Sequence, residues 1–419
     1  MSHSRRTFLT STLATVGLAA VACSSKVQSQ SSEGPKSTGA NGKKLRILIL
    51  GGTGFLGPAC SESALSRGHN VTLFNRGRTE ARRKEAGRPS NVPDGTEVII
   101  GNRDPKKTAD DWKNDPKQNT KGEALDPKSP VGMSQLAEKI KAGTKWDAVI
   151  DTSGYFPRMA RASAELLGPA VGQYIFISTL SVYVNNNVAD KDESDTLATL
   201  SSPDTEEFGA QFENYGAGKA ACEAAAEAAM PGRVTSMRAG FIVGPRDNSQ
   251  RFMYWPVRAY KGGEMIVPGS ETDPIQIIDV RDLADFVVHC AEHKIMGIFN
   301  ATGPASTLTM KNFVEGCIAG TGAKSSAVFI PAEFLEAQSV NPGTFPLWIP
   351  PSGEAAGFHQ RNIKKALAAG IKFRPMSETA KATLEWYNGV AENMQGGLSR
   401  QMDPAKEAEV IKAFREKKS

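Results

Sequence analysis

Leu45-Arg-Ile-Leu-Ile-Leu-Gly-Gly-Thr-Gly-Phe-Leu-Gly57 decides the fold. Its first half is a short apolar run rich in Leu and Ile, the pattern of a strand buried in a parallel sheet. The run stops at a glycine cluster, and a helical pattern over 58–67 follows at once, with Gly68 as its stop. The spacing Gly52-x-Gly54-x-x-Gly57 has a mechanical reason. One glycine permits a tight turn, a second lets backbone N–H groups approach a pyrophosphate, and a third lets the helix pack close to the strand. The positive end of the helix dipole then faces the phosphates. A tight strand-to-helix turn with no ligand has the same pattern, so the remainder of the chain must discriminate.

Outward from this stretch, strand patterns recur at 71–75, 97–100, 148–151, 174–178 and 234–238, and helical patterns at 133–142 and 160–167 lie among them. Alternating strands and helices predict an α/β fold, a Rossmann-type doubly wound parallel sheet covered on both faces. Residues 105–130 are polar, charged and rich in Lys, Asp and Pro, which reads as a surface insertion. The expected organisation is a dinucleotide-binding domain over 44–245 and a smaller substrate-binding subdomain over 246–400, interleaved with the last elements of the sheet. Residues 330–352 are rich in Pro without a clear period and suggest a flap. The charged tail, 401–419, reads as a peripheral helix with little part in catalysis.

The 419-residue chain carries a net charge of +5 and no dense Lys/Arg block with interleaved aromatics, so no nucleic-acid partner is expected. Cys23, Cys60, Cys222, Cys290 and Cys317 share no metal-ligand or redox spacing, and no metal site is expected. Residues 1–23 read as a targeting segment. Ser4-Arg5-Arg6-Thr7-Phe8-Leu9 resembles the twin-arginine export motif, which implies the twin-arginine export machinery as a partner. The apolar stretch behind it is too short for a membrane span. Leu18-Ala-Ala-Val-Ala-Cys23 resembles a loose lipobox, and two readings stand: cleavage after Ala22, or a lipid anchor at Cys23. A polar linker over 24–43 follows. The expected location is exported and periplasmic, either free or as a membrane-anchored lipoprotein.

Two clusters carry candidate chemistry. At the tip of the second strand an acidic residue would bind a ribose 2′-hydroxyl. Here stand Asn75, Arg76, Gly77 and Arg78, and guanidinium groups suit a 2′-phosphate, so NADP is expected, with NAD possible. Gly101-Asn102-Arg103-Asp104 is placed by position to meet the adenine, with Asn102 as the contact. Ser178, Thr179 and Ser181 put hydroxyls at the carboxyl end of the fifth strand, the ligand edge of such sheets. Tyr215 and Lys219 are one helical turn apart and share a face. A free phenol with a pKa near about 10 is a poor base at neutral pH. A nearby ammonium and an oxidised nicotinamide both favour phenolate, so the Tyr215 pKa is expected to fall. An exposed Tyr/Lys pair at this spacing is also what an ordinary solvated helix face shows.

Together these motifs resemble the extended branch of the short-chain dehydrogenase/reductase superfamily, the NAD(P)-dependent epimerases and dehydratases. The likeness spans roughly 45–390. It implies cofactor contacts at Gly51, Gly54, Phe55, Leu56 and Gly57, with Lys219 also touching the cofactor. The match of Ser178-Thr179-x-Ser181-Val182-Tyr183 selects Thr179 as the catalytic hydroxyl beside Tyr215 and Lys219. Arg238–Pro245, Ile278–Ala284 and Ile363–Pro375 match later motifs of the branch. The resemblance implies an enzyme that passes a hydride between NADP and a small-molecule substrate such as a sugar, and a homodimer. Leu180 stands where related dehydratases carry an acid, which argues against water elimination. Asp151-Thr-Ser-Gly-Tyr155 replaces the branch's His-Leu-Ala-Ala type of turn. An exported enzyme meets no cytoplasmic NADPH pool, which favours a redox-neutral cycle such as epimerisation over net reduction. A ligand-binding protein without turnover, and RNA binding of the kind that relatives with Asn-Arg-Gly after the second strand show, are the alternatives. The aromatic and cationic stretch Arg246–Trp255 is either a substrate surface or a packed seam.

Overall fold

Ile47, Leu48, Ile49 and Leu50 are all fully buried, and alternate residues enter different cores. Ile47 and Ile49 pack with Cys60, Leu73, Leu283 and Phe286. Leu48 and Leu50 pack with Leu136, Ala160, Leu167 and Phe176 on the other face. A strand with a core on each face needs an unbroken apolar run, because successive side chains point to opposite sides. Complete burial of each such side chain contributes about 1.5–3 kcal/mol.

The computed structural model describes residues 43–104, 132–203, 205–247, 249–390, 398 and 402–418. The targeting segment, Cys23, nearly all of the linker and the 105–130 insertion lie outside these residues. Among the described residues no helix is long and apolar enough to cross a membrane. The first half runs β1 (Arg46–Leu50), α1 (Leu56–Ser66), β2 (Asn70–Asn75), α2 (Arg78–Glu85), β3 (Glu97–Ile100), α3 (Ser134–Lys141), β4 (Trp146–Asp151), α4 (Pro157–Leu167), β5 (Val171–Thr179), α5 (Tyr215–Ala229) and β6 (Val234–Ala239). The second half runs β7 (Phe241–Val243), α6 (Tyr254–Tyr260), β8 (Gly263–Pro268), β9 (Pro274–Asp279), α7 (Val280–His293), β10 (Gly297–Ala301), β11 (Gly303–Thr309), α8 (Met310–Thr321), β12 (Ser325–Ile330), α9 (Ala332–Ala337), α10 (Lys364–Ala368), α11 (Met376–Val390) and α12 (Pro404–Lys418).

The main sheet has seven strands in the order β10-β6-β5-β4-β1-β2-β3, every neighbour parallel. This is the expected Rossmann-type α/β sheet. The strand order reverses between β1 and β4, and ligands of such sheets sit at the carboxyl ends there. In the structure β10 pairs with β6, Asn300 opposite Arg238, and completes the main sheet. α7 covers it, with Phe286 edge-on to Phe299 at 5.8 Å between centroids. A capped start explains α7, since the Asp279 carboxylate accepts from Arg281 N at 2.8 Å.

The remaining second-half strands form a three-stranded sheet (β11-β9-β7) and a pair (β12-β8). They enclose a separate core that includes Phe252, Trp255, Met265, Phe313, Trp348 and Phe414. Two expectations are corrected here. Residues 330–352 are not a flap: they contain α9, and Phe345, Leu347 and Trp348 are buried. Trp348 Nε1 donates to Asp273 Oδ2 at 2.9 Å, which pins the segment. The tail is helical but not peripheral, because Val410, Ile411 and Phe414 enter the second core. Glu407 is buried with them, accepting from Arg258 Nε at 2.8 Å and from Ile266 N at 2.9 Å. Pro-rich and charged composition hid both, because a few buried anchors suffice to dock a segment. Phe414→Ala is expected to lower unfolding stability by about 3 kcal/mol in a urea titration. A loss under about 0.5 kcal/mol would return the tail to the periphery.

Candidate active site

The β1–α1 turn shows which glycines the protein itself requires. Gly51 has φ +89°, and a Cβ there would lie 2.7 Å from Thr152 Oγ1. A Cβ on Gly57 would lie 2.5 Å from Gly51 O, so this glycine lets the helix close onto the turn. Gly54 differs: it is exposed, and a Cβ there would meet a single atom at 3.9 Å. The open face of the loop is therefore at Gly54, where a phosphate can reach the backbone. Phe55 precedes α1 without a side-chain cap, and the first turn holds no acid, so its N–H groups stay available to an anion. Leu56 is buried in the core and Phe55 is half-buried, so Leu56 has only its backbone to offer. Asn91 Nδ2 donates to Thr53 O at 3.2 Å and braces the loop from behind. Nothing in the polar segment around Asn91 signals that contact.

At the tip of β2, Asn75 is buried and its Oδ1 accepts from Gly77 N at 2.8 Å. Its Nδ2 is buried with no partner, a donor that a ligand acceptor would satisfy. Arg76 is exposed, yet surrounding protein desolvates it enough to lower its pKa, the mark of a recess rather than open surface. Arg78 opens α2, half-buried. Beyond β3, Asn102 N donates to Gly132 O at 2.9 Å and its Oδ1 accepts from Asp104 N at 3.0 Å. The two charges beside it turn inward. Arg158 Nη1 holds Asp104 at 2.7 Å. Arg103 forms a buried fork with Asp151, Nη2 to Oδ2 at 2.7 Å, and also reaches Ser163 Oγ at 3.0 Å.

This Arg103–Asp151 pair lies beneath the loop where the sequence departs from the resembled branch. Tyr174 Oη donates to Asp151 Oδ2 at 2.6 Å and Ser153 N to Oδ1 at 3.0 Å. Burial works to raise the Asp151 pKa, but the adjoining guanidinium more than offsets it and holds the carboxyl below its usual range. A buried ion pair persists only when its remaining hydrogen-bonding positions are filled, as they are here. The network fixes the 152–155 loop on which Lys219 docks.

Thr179 ends β5 and caps a 3-10 turn, Leu180–Val182, by accepting from Ser181 N at 3.1 Å. α5 starts against that turn. A Cβ on Gly216 would lie 1.9 Å from Ser181 O, so only glycine lets the helix approach this closely. The approach puts the Tyr215 phenol beside Thr179, whose hydroxyl donates to Ser181 Oγ at 3.2 Å. Lys219, one turn on, is buried. Its ammonium donates to Gly154 O at 2.7 Å and Ile177 O at 2.6 Å, and stands 4.1 Å from the Phe176 ring centroid. Thr179, Tyr215 and Lys219 are thus gathered at one strand end.

The electrostatics differ from expectation. Burial, with Tyr155 close by, pushes the Tyr215 pKa up to about 12, although Thr179 and Arg251 oppose the rise. Burial brings Lys219 down to about 8. The expected fall in the phenol pKa is therefore absent from the protein by itself: the lysine spends its donors on two carbonyls, and desolvation dominates.

Aromatic side chains crowd around Tyr215. Phe208 stacks on Phe156 at 5.3 Å and on Phe212 at 5.5 Å, and meets Tyr215 edge-on at 5.8 Å. Sequence reading missed these because 199–214 has no period. The stretch Arg246–Trp255 divides its roles. Phe252, Met253, Tyr254 and Trp255 are buried as a seam. Arg246 pairs with Glu62 at 2.7 Å, while Arg251 lies over Phe241 at 4.9 Å and its charge reaches Tyr215.

The profile of the NAD dependent epimerase/dehydratase family matches residues 152–301. A Bos taurus protein named Epimerase family protein SDR39U1 is 27% identical over 307 residues, 71% of this chain and 86% of that protein. The Arabidopsis thaliana chloroplast stem-loop binding protein of 41 kDa b is 25% identical over 281 residues, 66% of this chain; the match spans 63% of that protein, less than two thirds of its length. Among solved structures, the Bordetella bronchiseptica enzyme WbmG in complex with NAD and UDP superposes with a TM-score of 0.53 at 18% identity, over 83% of this chain and 96% of that one. UDP-glucose 4-epimerase with UDP-glucose from Thermotoga maritima gives 0.51 at 16%, over 83% and 100%. The structural likenesses establish the shared fold. The profile and the bovine relative are partial likenesses to proteins of the epimerase/dehydratase family.

Gly216→Ala separates two effects. Helix propensity alone would stabilise α5 by about 1 kcal/mol. The clash with Ser181 O is backbone against backbone, so net destabilisation of about 1–3 kcal/mol is expected in urea unfolding. A gain in stability would show that the helix start does not press on the Thr179 turn.

Proposed function

We propose that the chain is an epimerase-like oxidoreductase that uses NADP, with NAD as the alternative, on a sugar or another hydroxyl/carbonyl substrate. The observation that carries this is the meeting of the Thr179 hydroxyl, the Tyr215 phenol and buried Lys219 at the carboxyl end of β5. The NAD-containing neighbours and the family profile support a nicotinamide dinucleotide. The residues present fit one: the open face at Gly54, the uncapped start of α1 and the unpartnered Nδ2 of Asn75 offer donors to its phosphates and ribose. Asn75 in place of an acid, with Arg76 in its recess, supports the 2′-phosphate form.

When bound, the nicotinamide supplies the hydride acceptor and donor. Thr179 and Tyr215 hold the reacting substrate oxygen between them. With its pKa near about 12 the Tyr215 phenol is neutral at neutral pH and donates to a carbonyl oxygen. Taking a proton from a hydroxyl requires added positive potential; Arg251 supplies part of it, and an oxidised nicotinamide would add to it when bound. Lys219 keeps α5 in register with the 152–155 loop. The absence of an acid at Leu180 leaves the hydride cycle without an elimination step. We further propose export and a periplasmic location, with the choice of lipid anchor at Cys23 open, on the strength of Ser4–Leu9 and Cys23 alone. Homodimerisation rests on the resemblance.

Nucleic-acid binding is a second reading, favoured by the name of the Arabidopsis relative. RNA affinity that falls steeply with salt and persists in Tyr215→Phe would support it over catalysis.

Tyr215→Phe is expected to cut turnover at least about 100-fold while NADP affinity changes little. Unchanged turnover would overturn the mechanism. Arg76→Ala is expected to weaken NADP about tenfold or more and leave NAD almost unaffected, read as dissociation constants by calorimetry. A wild-type preference for NAD would overturn the cofactor assignment.

A further inference from the structure

Away from the candidate active site, His289, Glu292 and His293 stand at i, i+3 and i+4 on the last turns of α7, so they share one helix face. One potential ligand atom from each lies within 4.8 Å of the others. The cluster adjoins the opposite edge of the sheet from Tyr215: His69 stands just before β2, and its Nδ1 accepts from Leu45 N at the start of β1 at 3.3 Å.

The hydrogen bonds around the cluster set its chemistry. His293 Nδ1 lies 2.9 Å from His289 O, so it carries the proton and Nε2 keeps its lone pair. The Ala369 backbone lies against the His289 ring, and an imidazole that gives one N–H to a carbonyl keeps its other nitrogen for a ligand. The two imidazole rings are 4.1 Å apart between centroids. Two imidazole rings and a carboxylate on one helix face offer two nitrogens and one oxygen to a single cation. Glu292 supplies the negative charge. It is oriented by Arg67 Nη1 at 2.9 Å on one oxygen and His69 Nε2 at 3.0 Å on the other. His69 accepts at Nδ1, so it donates from Nε2, and each carboxylate oxygen retains a lone pair. Ligands steered by outer hydrogen bonds of this kind are the usual support of protein metal sites.

We propose that His289, Glu292 and His293 bind one divalent transition metal ion of the borderline class, such as Zn2+ or Cu2+, through two nitrogens and one oxygen. Imidazole with a carboxylate suits these ions and not Mg2+ or Ca2+. Bonds of about 2.0–2.1 Å call for ligand separations of about 3.3 Å, within reach of small side-chain rotations. The H-x-x-E-H spacing is also that of one group of zinc peptidases, whose glutamate is free to act as a base. Here Arg67 and His69 engage Glu292, which makes this a binding site rather than a hydrolytic one. Arg67 ends the α1 segment, and Ala369 closes α10. A bound ion therefore tightens the junction of α7 with both.

The test is Zn2+ binding to the untagged full-length protein, measured by competition with a chromogenic chelator and by thermal shift. One equivalent is expected, with a rise in Tm. His293→Ala, an exposed position where the fold is not at risk, is expected to weaken binding at least tenfold and remove the Tm rise. His289→Ala behaves likewise, and His3→Ala is unchanged. The absence of saturable one-to-one binding overturns the proposal, and so does a His293→Ala variant that binds as the wild type does, or a loss of binding on His3→Ala.

Discussion

The Lys219 ammonium, bonded to Gly154 O and Ile177 O inside the protein, is the contact on which the candidate site depends. Two carbonyls and an aromatic face replace the water that a buried cation loses. In satisfying itself the lysine joins α5 to the ends of β4 and β5, the elements that carry the loop and the hydroxyls. The contact works only because the partners are themselves rigid. Gly154 belongs to a turn held by the Arg103–Asp151 pair, and a Cβ on Gly154 would lie 2.5 Å from the Phe176 ring. A chain of buried charges thus runs from the end of β3 to α5.

A second polar network ties the two halves of the fold together. Ser178 donates to Glu223, whose carboxylate takes Arg238 Nη2 at 2.7 Å. Arg238 Nη1 donates to Tyr183 Oη at 3.0 Å, and Tyr183 donates to Asn300 Oδ1 at 2.6 Å. Asn300 Nδ2 then reaches Asn362 O at 2.9 Å, and Arg361 stacks over Tyr183 at 4.2 Å while pairing with Asp195 at 2.6 Å. Three motifs far apart in sequence, around Tyr183, Arg238 and Ile363, are parts of one connected assembly. Such networks are highly cooperative, because removing one member leaves the others buried and unpaired. The segment after β5 is thereby anchored beside Thr179, and Phe208 in the aromatic stretch that follows it meets Tyr215.

Much of the fold was legible because its signals are local. Strand β1 announces itself as an unbroken apolar run, and Gly51 to Gly57 punctuate the turn. Tyr215 and Lys219 are visible as a pair because a helix brings i and i+4 together wherever it lies. The misreadings came from segments whose order depends on distant anchors. Composition marks 330–352 as a flap and 401–419 as peripheral. Trp348 and Phe414 bury themselves in a core assembled from β8, α6 and α8, and no local pattern reports that.

The amino-acid sequence alone determined the parallel α/β sheet, its first six strands and the glycine turn, since each follows from periodicity or backbone freedom within about a dozen residues. It also placed a hydroxyl strand end and a Tyr/Lys helix in order along the chain. Only the tertiary structure decided that Gly216 must bare its helix to Ser181 O, that Arg103 and Asp151 brace the floor, and that β10 completes the sheet. It also decided the proton energetics. A phenol raised to about 12 and an amine lowered to about 8 reflect desolvation by neighbours from several elements. Burial is a sum over everything that surrounds a group, and no stretch of sequence contains that sum.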